Sequence, residues 1–423
     1  MGRGNPVMHL GQRTVRMTAT PESVGFSNER LVRIRTWMQG YIDDGKLPGA
    51  ITMISRHGEI VYLECLGKRD LESDLEIQSD TIFRIYSMTK PIVSVGLMTL
   101  CESGLLKLDD PLSDFLPMFR DMEVYRSGQD DMVRTESARS EISIRHLLTH
   151  TSGFCYGVFD DTPLASLYKS RQVEFYPDDG PLETVVTRLS ELPLLFHPGS
   201  RWNYGVSTDV LGHVIEVVSG QTLDVFLTKQ VFEPLGMPDT GFCLPKQQRG
   251  RFSALYEATT ENPMRLADPR KGSVYSDEVT TFSGGAGLLS TASDYFQFTE
   301  MIRRRGQGPG GPLLQPETIV DMTRNQLPGD LASMGQGMVN EISYDGIGFG
   351  LGFSVVIDPK LVGYTCVEGE VAWGGLASTA FWIDPTNDLT VSFFTQLAPS
   401  DLYPIRWDLR NLVYQALTDR RDL

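Results

Sequence analysis

With 423 residues, 41% of them apolar and 22% charged, the chain is long enough for two domains, or one large composite, around a full hydrophobic core. A formal net charge of −16 gives a surface that repels phosphate backbones, which excludes nucleic acid as a partner and mildly disfavours anionic substrates. The five cysteines, Cys65, Cys101, Cys155, Cys243 and Cys366, are odd in number and never form a C-x-x-C pair, so they read as reduced thiols of a cytoplasmic protein rather than a zinc ribbon or disulfide framework.

Residues 1–17 carry basic side chains but no apolar run of the secretory kind, and read as a mobile arm. No stretch approaches the ~18 apolar residues of a membrane span, so no membrane partner is expected. From Ser27 to Asp43, Leu31, Ile34, Trp37, Met38, Tyr41 and Ile42 recur at helical spacing behind Ser27, a plausible N-cap. Two β-rich runs then flank His57-Gly58, a hairpin signal, and Thr81 to Tyr86 is a third short extended run. A buried helix is predicted from Ser87 to Ser103. Pro91 is tolerated because it falls in the first turn, and Gly104 supplies the stop.

The character changes between residues 112 and 240. Ser143–His150, Pro181–Leu192 and Ser207–Gly236 read as helices, and the polar stretch Ser127–Glu141 as an exposed loop. After residue 241 β-rich runs return at Phe349–Asp358, Glu370–Asp384 and Leu389–Leu397, and Arg406–Thr418 reads as a closing helix. The economical architecture is α+β. Residues 18–111 and 241–423 form an α/β domain from both ends of the chain, an antiparallel sheet flanked by terminal helices, with residues 112–240 as an inserted, mainly helical domain.

Ser87-Met88-Thr89-Lys90 is an S-x-x-K tetrapeptide, and on a helix positions i and i+3 share one face, so the ammonium reaches the hydroxyl. A serine hydroxyl is a poor nucleophile until a base takes its proton, and a buried lysine is one such base. Ser166-Leu167-Tyr168-Lys169 has the same pattern but lies in a mixed stretch with no preceding strand, and reads as solvated surface. Tyr204 falls at a turn just before a helix, where a phenol beside an ammonium can share the base role. Trp373-Gly374-Gly375 lies in a strand run, where paired glycines are costly unless something approaches the backbone closely. His146 and His150 are spaced i, i+4, but Leu147 stands where a zincin needs glutamate, so the pair reads as structural. No G-x-S-x-G or Walker motif is present.

The S-x-x-K, LLTHTSG at 147–153, PGSRWNYGVSTDVLG at 198–212, SGGAGLLST at 283–291 and WGG at 373–375, in that order, resemble the class C β-lactamase-like, penicillin-recognising serine hydrolases, and within them the family VIII carboxylesterases. The likeness covers nearly the whole chain from about residue 20. It implies a site between the two domains, with Ser87 as the acylated nucleophile, Lys90 and Tyr204 as base, and the Ser87 and Leu376 amides as oxyanion hole. Trp373, Gly374 and Gly375 then stand for the third motif, usually K-T-G, and no metal or organic cofactor is implied. Val206 occupies the asparagine position of the family's Tyr-x-Asn, and Trp373 replaces the lysine of K-T-G. Both departures favour a neutral ester over a β-lactam. The expected activity is therefore a serine carboxylesterase acting on small-molecule esters. A β-lactamase or DD-peptidase, an amide hydrolase or acyltransferase of the same fold, and a non-catalytic binding homologue are the alternatives. Nothing in the sequence reports the oligomeric state.

Overall fold

The computed structural model describes residues 16–421 apart from 130–131, 159–161, 277–278, 336–337 and 340–341, so the arm expected at 1–17 lies almost wholly outside the described residues. The first strands are β1 (Gly49–Arg56), β2 (Glu59–Asp70) and β3 (Leu75–Glu76). Far along the chain come β4 (Ile347–Phe349), β5 (Ser354–Val356), β6 (Val371–Gly374), β7 (Ala380–Asp384) and β8 (Leu389–Phe394). They form one antiparallel sheet in the order β4-β5-β6-β7-β8-β1-β2-β3. Among the described residues, 112–240 contribute no strand to it. His57 and Gly58 both take positive φ, at 55° and 82°, as a tight turn matched to strand twist requires.

Side chains on a strand alternate between faces. Ile51 and Met53 of β1 and Phe381 and Ile383 of β7 enter the main core, with α2 (Thr89–Glu102) and α4 (Ala292–Arg303). Ala50, Ile54, Trp382 and Phe393 point the other way, against α1 (Asn28–Asp43) and α5 (Ile405–Ala416). Leu31, Ile34 and Met38 are the buried stripe of α1, each contributing about 1.5–3 kcal/mol by leaving water. Ser27 accepts from the Arg30 amide as its cap. The main core continues into the middle of the chain through Leu148, Phe154, Val185 and Leu211, the last on α3 (Ser207–Ser219), which packs on α2.

Several readings of the sequence change here. The run Thr81–Tyr86 yields only Phe83–Arg84 as strand, and it pairs with Leu289–Ser290 outside the large sheet. The polar stretch expected as a loop carries one arm of a hairpin, Arg134–Ser137 against Glu123–Ser127. Its arm is exposed on nearly every residue, so no apolar alternation marks it. Phe349–Asp358 is two short strands, because Gly352, at φ 94°, turns the chain between them. Helix α4 stands inside the region read as β-rich. Its Thr291 cap and its stripe Tyr295, Phe298, Met301 and Ile302 follow the helical period. Among the described residues no single helix is long and apolar enough to cross a membrane.

Candidate active site

Ser87 sits in a single 3-10 turn, Tyr86–Met88, that runs straight into α2. Tyr86 is held at φ 43°, a conformation that costs a non-glycine residue about 1–3 kcal/mol and persists only where its surroundings enforce it. Those surroundings are the segment 283–291 and the helix that follows it. The Ile85 amide donates to Leu288 O at 3.1 Å, the Leu288 amide to Thr89 Oγ1 at 3.1 Å, and Tyr295 Oη to Met88 O at 3.0 Å.

Lys90 follows on the first turn of α2 and is fully buried. Its Nζ lies 3.4 Å from Ser87 Oγ, 2.9 Å from Tyr156 Oη and 2.9 Å from Gly285 O. The Gly285 carbonyl can only accept, so one N–H always points away from Ser87. With a second N–H on Tyr156, the third tetrahedral position faces the serine hydroxyl, as a donor when lysine is charged and as a lone pair when it is neutral. Tyr204 reaches Lys90 differently, with Nζ 4.5 Å from its ring centroid. Its hydroxyl is buried and has no hydrogen-bond partner among the described residues. Tyr156 is thus a site residue that motif reading missed. The only available signal was its place three residues after the LLTHTSG run.

Aromatic rings surround Tyr204. His150, Tyr156, Trp373 and Trp202 lie with ring centroids 5.0, 5.5, 5.4 and 6.2 Å away, and Phe349 closes the set at 5.3 Å from Trp373. His150 is buried, and burial followed by the charge of Lys90 holds its imidazole well below the usual range, hence neutral. His146 belongs to helix Ile144–Leu148, where its ring accepts from the Ser143 amide in a capping box. Ser166 and Lys169, the second S-x-x-K, are exposed.

The paired glycines have a steric cause. A Cβ on Gly375 would stand 2.5 Å from Ile85 O, so only glycine lets the end of β6 lie against the backbone before Ser87. A Cβ on Gly374 would overlap the Arg406 guanidinium, which reaches in from α5. Arg406 Nη2 donates to Gly375 O at 3.0 Å and Thr379 O at 3.1 Å. In a trans peptide the N–H points opposite to the C=O, so tying the Gly375 carbonyl towards α5 turns the Leu376 amide away from it. Neither that amide nor the Ser87 amide enters a backbone hydrogen bond among the described residues. Arg406→Ala is therefore expected to lower kcat about 10- to 100-fold with KM little changed, the loss typical of an oxyanion donor gone astray. An unchanged kcat at intact fold would show that the turn keeps its direction without the guanidinium.

A serine–lysine pair, two unused amides and an aromatic wall thus meet at the junction of α2, β6 and residues 283–291. The family model described as Beta-lactamase matches residues 34–415. The chain belongs to the β-lactamase family. Esterase EstB of Burkholderia gladioli is 33% identical over 386 residues, 87% of this chain and 91% of that protein. Monacolin J acid methylbutanoyltransferase of Aspergillus terreus is 29% identical over 87% of this chain and 91% of its own length. Among solved structures, EstCE1, a hydrolase with promiscuous acyltransferase activity, superposes with a TM-score of 0.78 at 28% identity, over 91% of this chain and 98% of that one. Within the β-lactamase family's pattern, Trp373 lies against Tyr204 and Phe349 with Nε1 buried and unpartnered among the described residues. Val206, at the asparagine position, is fully buried in the main core, so what it offers the site is packing behind Tyr204 rather than a surface for substrate.

Proposed function

We propose that the protein is a carboxylesterase that hydrolyses neutral short- to medium-chain esters through an acyl-Ser87 intermediate. The observation that carries this reading is the buried Lys90 Nζ, directed at Ser87 Oγ by Tyr156 and Gly285. Lys90 and Tyr204, acting together, take the Ser87 proton as Oγ attacks the ester carbonyl. The Ser87 and Leu376 amides hold the oxyanion. Collapse breaks the bond to the alcohol oxygen, which receives the proton from the Lys90–Tyr204 pair. Water then adds to the acyl-enzyme by the same route in reverse order and releases the acid.

The aromatic wall supports a neutral substrate. A β-lactam carries a carboxylate, and desolvating it unpaired costs several kcal/mol, each 1.4 kcal/mol being tenfold in binding. An indole stands where K-T-G enzymes offer an ammonium. Hydrolysis of p-nitrophenyl acetate or butyrate is expected to exceed that of benzylpenicillin by orders of magnitude in kcat/KM, with at most slow turnover of a cephalosporin, and Trp373→Lys should narrow the gap. Equal turnover of benzylpenicillin would replace this reading with a β-lactamase. Two relatives, by their names, transfer acyl groups or do so promiscuously. An alcohol added to the ester assay tests that second reading, since an acyltransferase makes the new ester faster than the free acid.

A further inference from the structure

We infer that Asp209 is a positioning residue whose carboxyl group, acting through the Ser283–Gly285 turn, holds Lys90 against Ser87. The inference rests on the acyl-Ser87 reading above and names a residue that reading does not use.

Asp209 lies in the first turn of α3, five residues after Tyr204, and is fully buried. Its Oδ1 accepts from Ser283 Oγ at 2.5 Å and from the Gly285 amide at 2.9 Å. On the far side of the same residue, Gly285 O accepts from Lys90 Nζ at 2.9 Å. One residue thus connects carboxylate and ammonium, its N–H on the anion and its C=O on the cation. The fit leaves no slack, because a Cβ on Gly285 would overlap the carboxylate and a Cβ on Gly284 would overlap Thr208 O. Ser283 Oγ also accepts from the Ala286 amide at 3.0 Å, which closes the turn.

The groups that face this set are Lys90, Tyr156, Tyr204 and His150, and none of them is anionic while the phenols are protonated. Burial, the largest cause, leaves the Asp209 carboxyl raised, against the opposing pull of Lys90 and the two donors. A buried carboxylate of this kind also gives Lys90 a fixed partner direction, which a lysine with four rotatable bonds otherwise lacks.

Asp209→Asn separates charge from scaffold, because the amide oxygen still accepts from Ser283 and Gly285. Its kcat for p-nitrophenyl butyrate is expected to stay within about threefold of wild type. Asp209→Ala, which removes the acceptor as well, should lose a further tenfold or more in kcat with KM little changed. Gly285→Ala should cost kcat in the same way. Folding of each variant is checked by circular dichroism. A kcat in Asp209→Ala within about twofold of wild type, or a loss in Asp209→Asn as large as that in Asp209→Ala, overturns the inference. If Asp209→Asn does not fold, full kcat in Gly285→Ala overturns it instead. Ser87→Ala, run alongside, keeps the two levels apart. Activity surviving there removes the acyl-Ser87 reading, whereas a dead Ser87→Ala with full kcat in Asp209→Ala removes only the inference.

Discussion

Ser87→Ala is expected to lower ester hydrolysis by at least about 10⁴-fold while leaving the fold unchanged, and Ser166→Ala to leave the rate within about twofold. The asymmetry follows from context rather than motif. Both serines are followed three residues later by lysine. Only Ser87 stands between an enforced positive-φ residue and a buried helix, with a buried ammonium at 3.4 Å. Ser166 and Lys169 are exposed, where water competes for both groups. Removing Ser87 Oγ gives up a long 3.4 Å contact from Lys90 Nζ, so the unfolding free energy should change by no more than a surface substitution allows, about 0.5 kcal/mol. Mass spectrometry after a fluorophosphonate probe should find the adduct on the Ser87 peptide. An adduct on Ser166, or an active Ser87→Ala, would falsify the assignment.

Lys90→Ala and Tyr204→Phe are each expected to cost about 10³-fold or more in kcat, and the double variant little beyond the worse of the two, because groups that move one proton together act as a unit. Lys90→Ala carries a stability cost that Tyr204→Phe does not. It strips a donor from buried Gly285 O and from Tyr156, about 1–3 kcal/mol for a buried polar group left unmet. Tyr156→Phe distinguishes the two phenols. Tyr156 holds Lys90 by a hydrogen bond, so its loss should be the smaller if Tyr204 shares the base role. Stopped assays of all four proteins at several pH values decide the matter. Strictly multiplicative losses, or a Tyr156→Phe loss exceeding that of Tyr204→Phe, would reassign the base.

Motif reading reached the residues of the proposed site because they cluster at junctions with local signatures. Ser87 and Lys90 share one turn, Tyr204 opens a helix, and the two glycines break a strand. It did not locate Tyr156, Asp209 and Arg406, whose roles exist only through contacts far apart in the chain. Tyr156 meets Lys90 across 66 residues, Ser283 meets Asp209 across 74, and Arg406 meets Gly375 across 31. The antiparallel sheet and its terminal helices were legible from alternation and period. The hairpin at Glu123–Ser137 was not, since its exposed strands carry no buried stripe. The WGG run also showed what was missing, a lysine, but not why its glycines are needed, which is the approach of Ile85 O and Arg406.

The order of strands in the sheet has a consequence for synthesis. β1 is buried on every residue and pairs on one side with β8, Ile51 opposite Phe394. Thr395 Oγ1 even reaches back to Gly49 O across 346 residues. A nascent chain therefore exposes an apolar, half-paired edge for almost the whole of its translation, and the pairing that covers it is among the most non-local in the molecule. Such contact order makes folding slow and aggregation-prone. Under the proposed mechanism the partial chain is also chemically silent: Ser87 and Lys90 emerge early, but the Leu376 amide cannot arrive before the sheet closes. Onset of esterase activity would thus report completion of folding, and refolding yield should depend more on protein concentration and chaperone supply than on the stability of the finished fold.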